Sequence, residues 1–160
     1  MMQEPEAAWA DPVRGIVYEH MLLQRVAAQG VAPHGRTSVL ERSATLLLAR
    51  LEAGGPMTIA ELAESFDLDV STVHRQVAAA MKAGLVERIA DPGGGPARRH
   101  RPTDDGRARL AEELATRRGA VEHVVADWPE EDVADFTRLL RRFNEGAETW
   151  RGHPWPRPQD

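Results

Sequence analysis

The stretch from Thr58 to Met81 constrains the fold more than any other part of this chain, because caps, a turn residue and apolar positions occur in it at mutually consistent spacings. Thr58, with Glu61 three positions later, has the form of a capping box and starts a short helix over 59–66. Ala63 is small where two helices must cross closely. Asp67, four residues on, falls where the chain turns and a left-handed backbone angle is required. Asp tolerates that angle, although Gly adopts it more readily. A second helix is expected from Asp69 or Ser71 to Ala83, with Val73, Val77, Ala80 and Met81 as its inward stripe and Gly84 as its left-handed terminator. Ile59, Leu62, Phe66 and Leu68 complete the apolar contacts that lock the pair, and the unit reads as a helix-turn-helix.

The flanks extend this unit in both directions. Upstream, Val13, Ile16, Val17, His20, Met21, Leu23 and Val26 recur at helical spacing as far as Gly30, and a turn-rich break follows at 31–35. Thr37 or Ser38 can then cap a helix through Ala53, with Glu41 three residues after Ser38, until Gly54-Gly55-Pro56 stops it. Downstream, 85–89 reads as a strand, 92–96 as a glycine-rich tip and 97–102 as the return strand. Thr103 opens a long helix to about Asp127. Trp128-Pro129-Glu130-Glu131 begins another that carries Val133, Phe136, Leu139, Leu140 and Phe143 to about Trp150. Residues 151–160, with three prolines, form a flexible tail. The expected class is mainly α with a small β-hairpin wing.

Charge distribution points to a polyanionic partner. The chain has a formal net charge of −5, yet between Ser71 and Arg101 six basic residues (Arg75, Lys82, Arg88, Arg98, Arg99, Arg101) face two acids, Glu87 and Asp91. Only the local field matters for capturing phosphates, so a basic island in an acidic body suits a protein that lands on nucleic acid in one orientation. The absence of cysteine excludes disulfides, thiol nucleophiles, thiolate metal sites and thiol redox switches, and points to a cytoplasmic setting. No apolar run is long enough to cross a bilayer; Leu46-Leu47-Leu48-Ala49 is far too short.

On these terms the second helix of the pair enters the major groove of duplex DNA, and its N-terminal outward side chains, Ser71, Thr72, His74, Arg75 and Gln76, meet base edges first. Arg can bond guanine through two donors and Gln can do likewise with adenine, so Arg75 and Gln76 are the candidates for base contact. Taken alone, they read first as the solvated face of a surface helix; the surrounding motif reverses that order in favour of the DNA reading. Arg88, Arg98, Arg99 and Arg101 are the candidates for phosphate contact, the last three lying on the return strand after the glycine tip.

The order of these elements resembles the MarR (multiple antibiotic resistance regulator) family of winged-helix repressors. The residues that carry the likeness are Gly55-Pro-Met-Thr-Ile-Ala-Glu-Leu-Ala63, Val70-Ser-Thr-Val-His-Arg75, Lys82-Ala-Gly-Leu-Val-Glu-Arg88, the wing from Asp91-Pro92, and Thr103-Asp-Asp-Gly-Arg107. The resemblance implies one domain over 12–150, with 12–36 and 103–150 as dimerisation helices and 37–102 as the winged helix-turn-helix lobe. It also implies a homodimer over a near-palindromic operator, with half-sites about one DNA turn, ~34–36 Å, apart. A small aromatic effector that releases DNA belongs to the same implication. The chain departs from the family at the wing, where Gly94-Gly95-Pro96 stands in place of an Asp-Arg-Arg run and the arginines arrive later, at Arg98 and Arg99.

Other chemistries find little support. His20, His34, His74, His100, His123 and His153 form no i,i+4 pair, so metal-ligand spacing is missing and no cofactor is expected. Asp104-Asp105 and Glu112-Glu113 sit at or near a helix start, where the dipole favours negative charge without any acid–base role. Trp9, Tyr18, Met21 and Trp128 fill a dimer core more often than they line an effector pocket. The alternative to a DNA-binding regulator is a winged-helix module whose exposed helix meets another protein. An enzyme is not expected, since no nucleophile–base pair or cofactor loop is present.

Overall fold

The computed structural model describes residues 11–29 and 40–157, and the chain divides into two compact units, residues 1–38 and 39–160. In the first unit, α1 (Pro12–Gln29) begins where the Asp11 carboxylate accepts a hydrogen bond from the Val13 amide at 3.0 Å. Val13, Ile16, Val17, Met21, Leu23 and Val26, the large apolar residues expected on its apolar face, are each at least 41% exposed.

The second unit is built around α2 (Arg42–Gly54), whose Leu47, Leu48 and Leu51 are fully buried. Against it pack α3 (Ile59–Phe66), α4 (Val70–Lys82), the antiparallel hairpin β1 (Val86–Ala90) and β2 (Arg98–Pro102), and α5 (Asp104–Val124). Val73 and Val77 from α4, Leu62 from α3, Val86 from β1 and Leu110 from α5 close one apolar core with the α2 leucines. Met57 adds a one-residue bridge to the hairpin, exchanging both backbone hydrogen bonds with His100 at 3.1 and 2.7 Å. Burying this contiguous set in place of water is the main term that holds the lobe together.

The expected elements occur in the expected order, with three local differences. Thr37 and Ser38 lie outside the described residues; α2 starts at Arg42, and Glu41 is its N-cap residue without a capping side-chain bond. Met81 and Leu68, expected inside, are 37% and 44% exposed. Positions 73, 77 and 80 already fill the buried stripe of α4, and position 81 falls one step around the helix from it, toward its edge.

The junction of hairpin and α5 explains the Thr103-Asp-Asp-Gly pattern. Thr103 caps α5 by accepting from the Gly106 amide at 3.0 Å, donates its hydroxyl to the Gly84 carbonyl at 2.6 Å, and its own amide donates to the Leu85 carbonyl at 3.0 Å. The first turn of α5 therefore lies directly on the backbone at Leu85. A Cβ at position 106 would collide with the Leu85 carbonyl oxygen, so the site takes glycine.

The last helix, α6 (Glu130–Arg151), buries none of its residues, and its stripe of Phe136, Leu139, Leu140 and Phe143 is 38–50% exposed. Gly152 ends it in the left-handed conformation. The segment expected to be a loose tail folds back as far as residue 157. The Trp155 ring lies 5.7 Å from that of Phe66, with the Arg50 guanidinium 5.7 Å above the Trp155 ring, and Arg157 pairs with Glu148 at 2.7 Å. Beyond Gly152 the prolines keep the chain from resuming a helix, and the Trp155 indole reaches an apolar edge of α3.

Candidate nucleic-acid interface

The helix-turn-helix is assembled by local chemistry. Thr58 and Glu61 form the complete capping box: the Glu61 amide donates to Thr58 Oγ1 at 3.2 Å, and the Thr58 amide donates to Glu61 Oε2 at 2.7 Å. Asp67 takes the left-handed conformation, φ 53° and ψ 48°, and the Leu68 amide returns to the Ala63 carbonyl at 3.0 Å. That αL residue redirects the chain within two positions, so that α4 leaves the turn with Asp69 at its N-cap.

Because Val73, Val77 and Ala80 face the core, helical periodicity leaves the N-terminal half of α4 with an outward face. Ser71, His74 and Arg75 are exposed on it, and Thr72 and Gln76 are half-buried at its margins. Arg75 donates to Thr72 Oγ1 at 3.4 Å along the helix surface. The five side chains singled out on this helix therefore form one surface, with Gln76 less outward than its neighbours.

The hairpin distributes its four arginines into different surroundings. Arg88 and Arg98 are exposed and make no ion pair among the described residues. Arg101 pairs across the strands with Glu87 at 2.8 Å, both half-exposed, an arrangement of small net worth that water and salt weaken further. Arg99 is different. Its Nε donates to Asp91 at 3.0 Å, and its Nη1 donates to Glu61 at 2.9 Å and to the Pro56 carbonyl at 3.0 Å. The group expected to reach a phosphate thus ties the wing to the first turn of α3. Backbone hydrogen bonding from Thr58, and then the nearby Arg99, hold the Glu61 carboxyl below its ordinary range; the Gly93 amide, and then Arg99, do the same for Asp91.

Between α4 and the wing lies a cavity of about 250 Å³ lined by His74, Arg88, Arg98 and His100, with Met81 and Ala78 among its apolar walls. His100 is buried to 4% exposure and its Nδ1 has no hydrogen-bond partner. Burial first, then the nearby Arg88 and His74, push its imidazole pKa down, against a backbone hydrogen bond at Met57 that raises it. His100 and Met81 were not among the expected site residues. The signal for His100 was present, since period-two alternation along 98–102 puts 100 and 102 on the inward face. Among the described residues no group of three His, Cys, Asp or Glu could hold a metal ion, and no helix is long and apolar enough to cross a membrane.

Comparison with known proteins agrees with this geometry. A model of the MarR family matches residues 40–95. The chain is 36% identical over 135 residues to YxaD, an HTH-type transcriptional regulator of Bacillus subtilis, spanning 84% of this chain and 94% of that protein. Among solved structures it is similar to a MarR family protein from Bacillus stearothermophilus, with a TM-score of 0.69 at 24% identity, covering 86% of this chain and 99% of that one. It is also similar to Bordetella bronchiseptica BpsR, whose DNA binding is regulated by 6-hydroxynicotinic acid, with a TM-score of 0.56 at 19% identity over 79% of this chain and 98% of that one. At these identities the two structures speak for the winged-helix fold.

Proposed function

We propose that this chain, which belongs to the MarR family of transcriptional regulators, is a repressor that binds a near-palindromic operator as a homodimer and releases it on binding a small aromatic effector. The observation that carries the DNA reading is the juxtaposition of an exposed α4 face, Ser71, His74 and Arg75, with a wing whose Arg88 and Arg98 have no protein counter-charge among the described residues. Arg75 and Gln76 read bases, Ser71, Thr72 and His74 set register, and Arg88, Arg98 and Arg101 neutralise phosphates. Arg99, with Nε and Nη1 already engaged, acts chiefly by bracing the wing.

The homodimer is supported by the stripe on α6, since large apolar side chains in a row are costly to leave in water. The effector is supported by family membership and by the small-molecule control of BpsR. No catalytic role is assigned, and the protein works where the DNA is, in the cytoplasm. Selecting the genomic fragments that the purified protein retains, then titrating salt, tests the reading: affinity should fall steeply as salt rises. Failure to retain any duplex at low salt would overturn it and favour a protein-binding role for α4.

A further inference from the structure

We propose that the cavity between α4 and the wing receives a phosphate of the DNA backbone and that His100 takes up a proton when the phosphate enters. The inference rests on the DNA-binding reading above and adds a chemical linkage to it. Arg88 from β1 and Arg98 from β2 supply a cationic mouth beside the His74 ring of α4, while Ala78 and Met81 offer an apolar wall suited to the sugar edge beside a phosphate. At about 250 Å³ the space is open enough for both.

Among the described residues, no carboxylate lines this place. Of the carboxylates on the elements around it, Glu61 and Asp91 pair with Arg99, Glu87 with Arg101, Glu52 on α2 and Asp104 on α5 with Arg107, and Asp105 with Arg109, while Glu64 of α3 and Glu112 of α5 are not among the residues that line it. Arg50 of α2 lies over Trp155. His100 stands opposite Arg88 in the strand register, so a buried imidazole, whose Nδ1 has no partner among the described residues, and a cross-strand guanidinium line one pocket. In the free protein, burial and then the Arg88 charge favour the neutral ring. A phosphate reverses the electrostatic part of that balance, since an anion in a poorly solvated site stabilises an imidazolium. The complex therefore binds more protons than its separated parts, and affinity must rise as pH falls.

The test uses the full chain and a labelled mixed-sequence duplex of about three helical turns, chosen because backbone contact is independent of sequence. At constant salt, wild-type affinity should weaken by roughly three- to tenfold between about pH 6 and about pH 8, the range in which histidine titrates. His100→Gln should flatten that dependence while retaining duplex binding. Because His100 is buried, a second measurement guards against a misfolded variant: the imidazole titration of wild-type protein followed by NMR should move to higher pH when duplex is added. Arg88→Gln should reduce the salt slope by about one phosphate.

An unchanged pH dependence in folded His100→Gln, or a ring titration indifferent to duplex, would overturn the proposal while leaving the regulator reading intact. A ring shift produced by inorganic phosphate but not by duplex would also overturn it, by showing the wrong source of phosphate. Loss of all duplex binding at low salt would end both.

Discussion

Arg99 on the wing lies 2.9 Å from Glu61 in the first turn of α3, and the same carboxylate receives the Thr58 amide that closes the capping box. One side chain thus completes the start of the helix-turn-helix and anchors the hairpin that flanks it. Arg99→Ala should loosen residues 86–102, seen as faster amide hydrogen exchange there, and weaken binding to every duplex. Arg98→Ala should instead lower the salt slope by about one phosphate and leave exchange unaltered. Equal salt-slope losses in the two variants would return Arg99 to the backbone contacts.

The same brace has a pH dependence of known sign. Glu61 and Asp91 are both held below their ordinary values, so what they contribute is fully present above the unfolded carboxylate range and is lost as pH falls through their folded values. Exchange protection of the wing should therefore drop below about pH 4, and Glu61→Gln should remove part of that acid sensitivity. Wing exchange that is flat through this range would contradict the role given to the brace.

Arg75 is exposed, and among the described residues its guanidinium meets only the Thr72 hydroxyl, so little protein chemistry competes for it. Arg75→Ala should cost ~1–3 kcal/mol on the selected operator and relax preference at one base pair. Competition binding against mixed-sequence DNA checks this, because an equal loss on both would make Arg75 a phosphate contact.

Leu139 is 50% exposed in the middle of the α6 stripe. Leu139→Arg should shift the protein from dimer to monomer in sedimentation analysis and weaken operator binding with it, since two half-sites are then no longer held together. A variant that remains dimeric would move the interface off this stripe.

Trp155 reaches Phe66 and lies under Arg50. Trp155→Ala should lower unfolding free energy by about 1–2 kcal/mol in a urea titration, from the lost ring pair and cation–π contact. No change would mean that the tail rests on the lobe without stabilising it.

Much of the lobe is local and was legible in residue order. Thr58 and Glu61 meet because three residues of helix bring them together, Asp67 turns because its short polar side chain tolerates a left-handed angle, and Gly84 takes φ 74° where α4 ends. The five α4 candidates share a surface because the buried positions 73, 77 and 80 leave them nowhere else to point. The start of α2 is not legible in the same way: Ser38 and Glu41 have capping-box spacing, yet the helix begins at Arg42 with Glu41 as its N-cap residue.

Amino-acid order alone determined the succession of helices, the turn, the wing and the sign of charge along it, because those depend on propensities and periods within a few residues. Only the folded chain decided which arginine is committed and which is open. Arg98 and Arg99 are adjacent, yet they leave the strand on opposite faces: Arg98 is exposed at the cavity beside His100, and Arg99 meets Glu61, 38 positions away. The same holds for Trp155 on Phe66 and for His100 beneath Arg88 and His74. A partner's identity across such separations follows from how packed elements approach one another, and no local period encodes that distance.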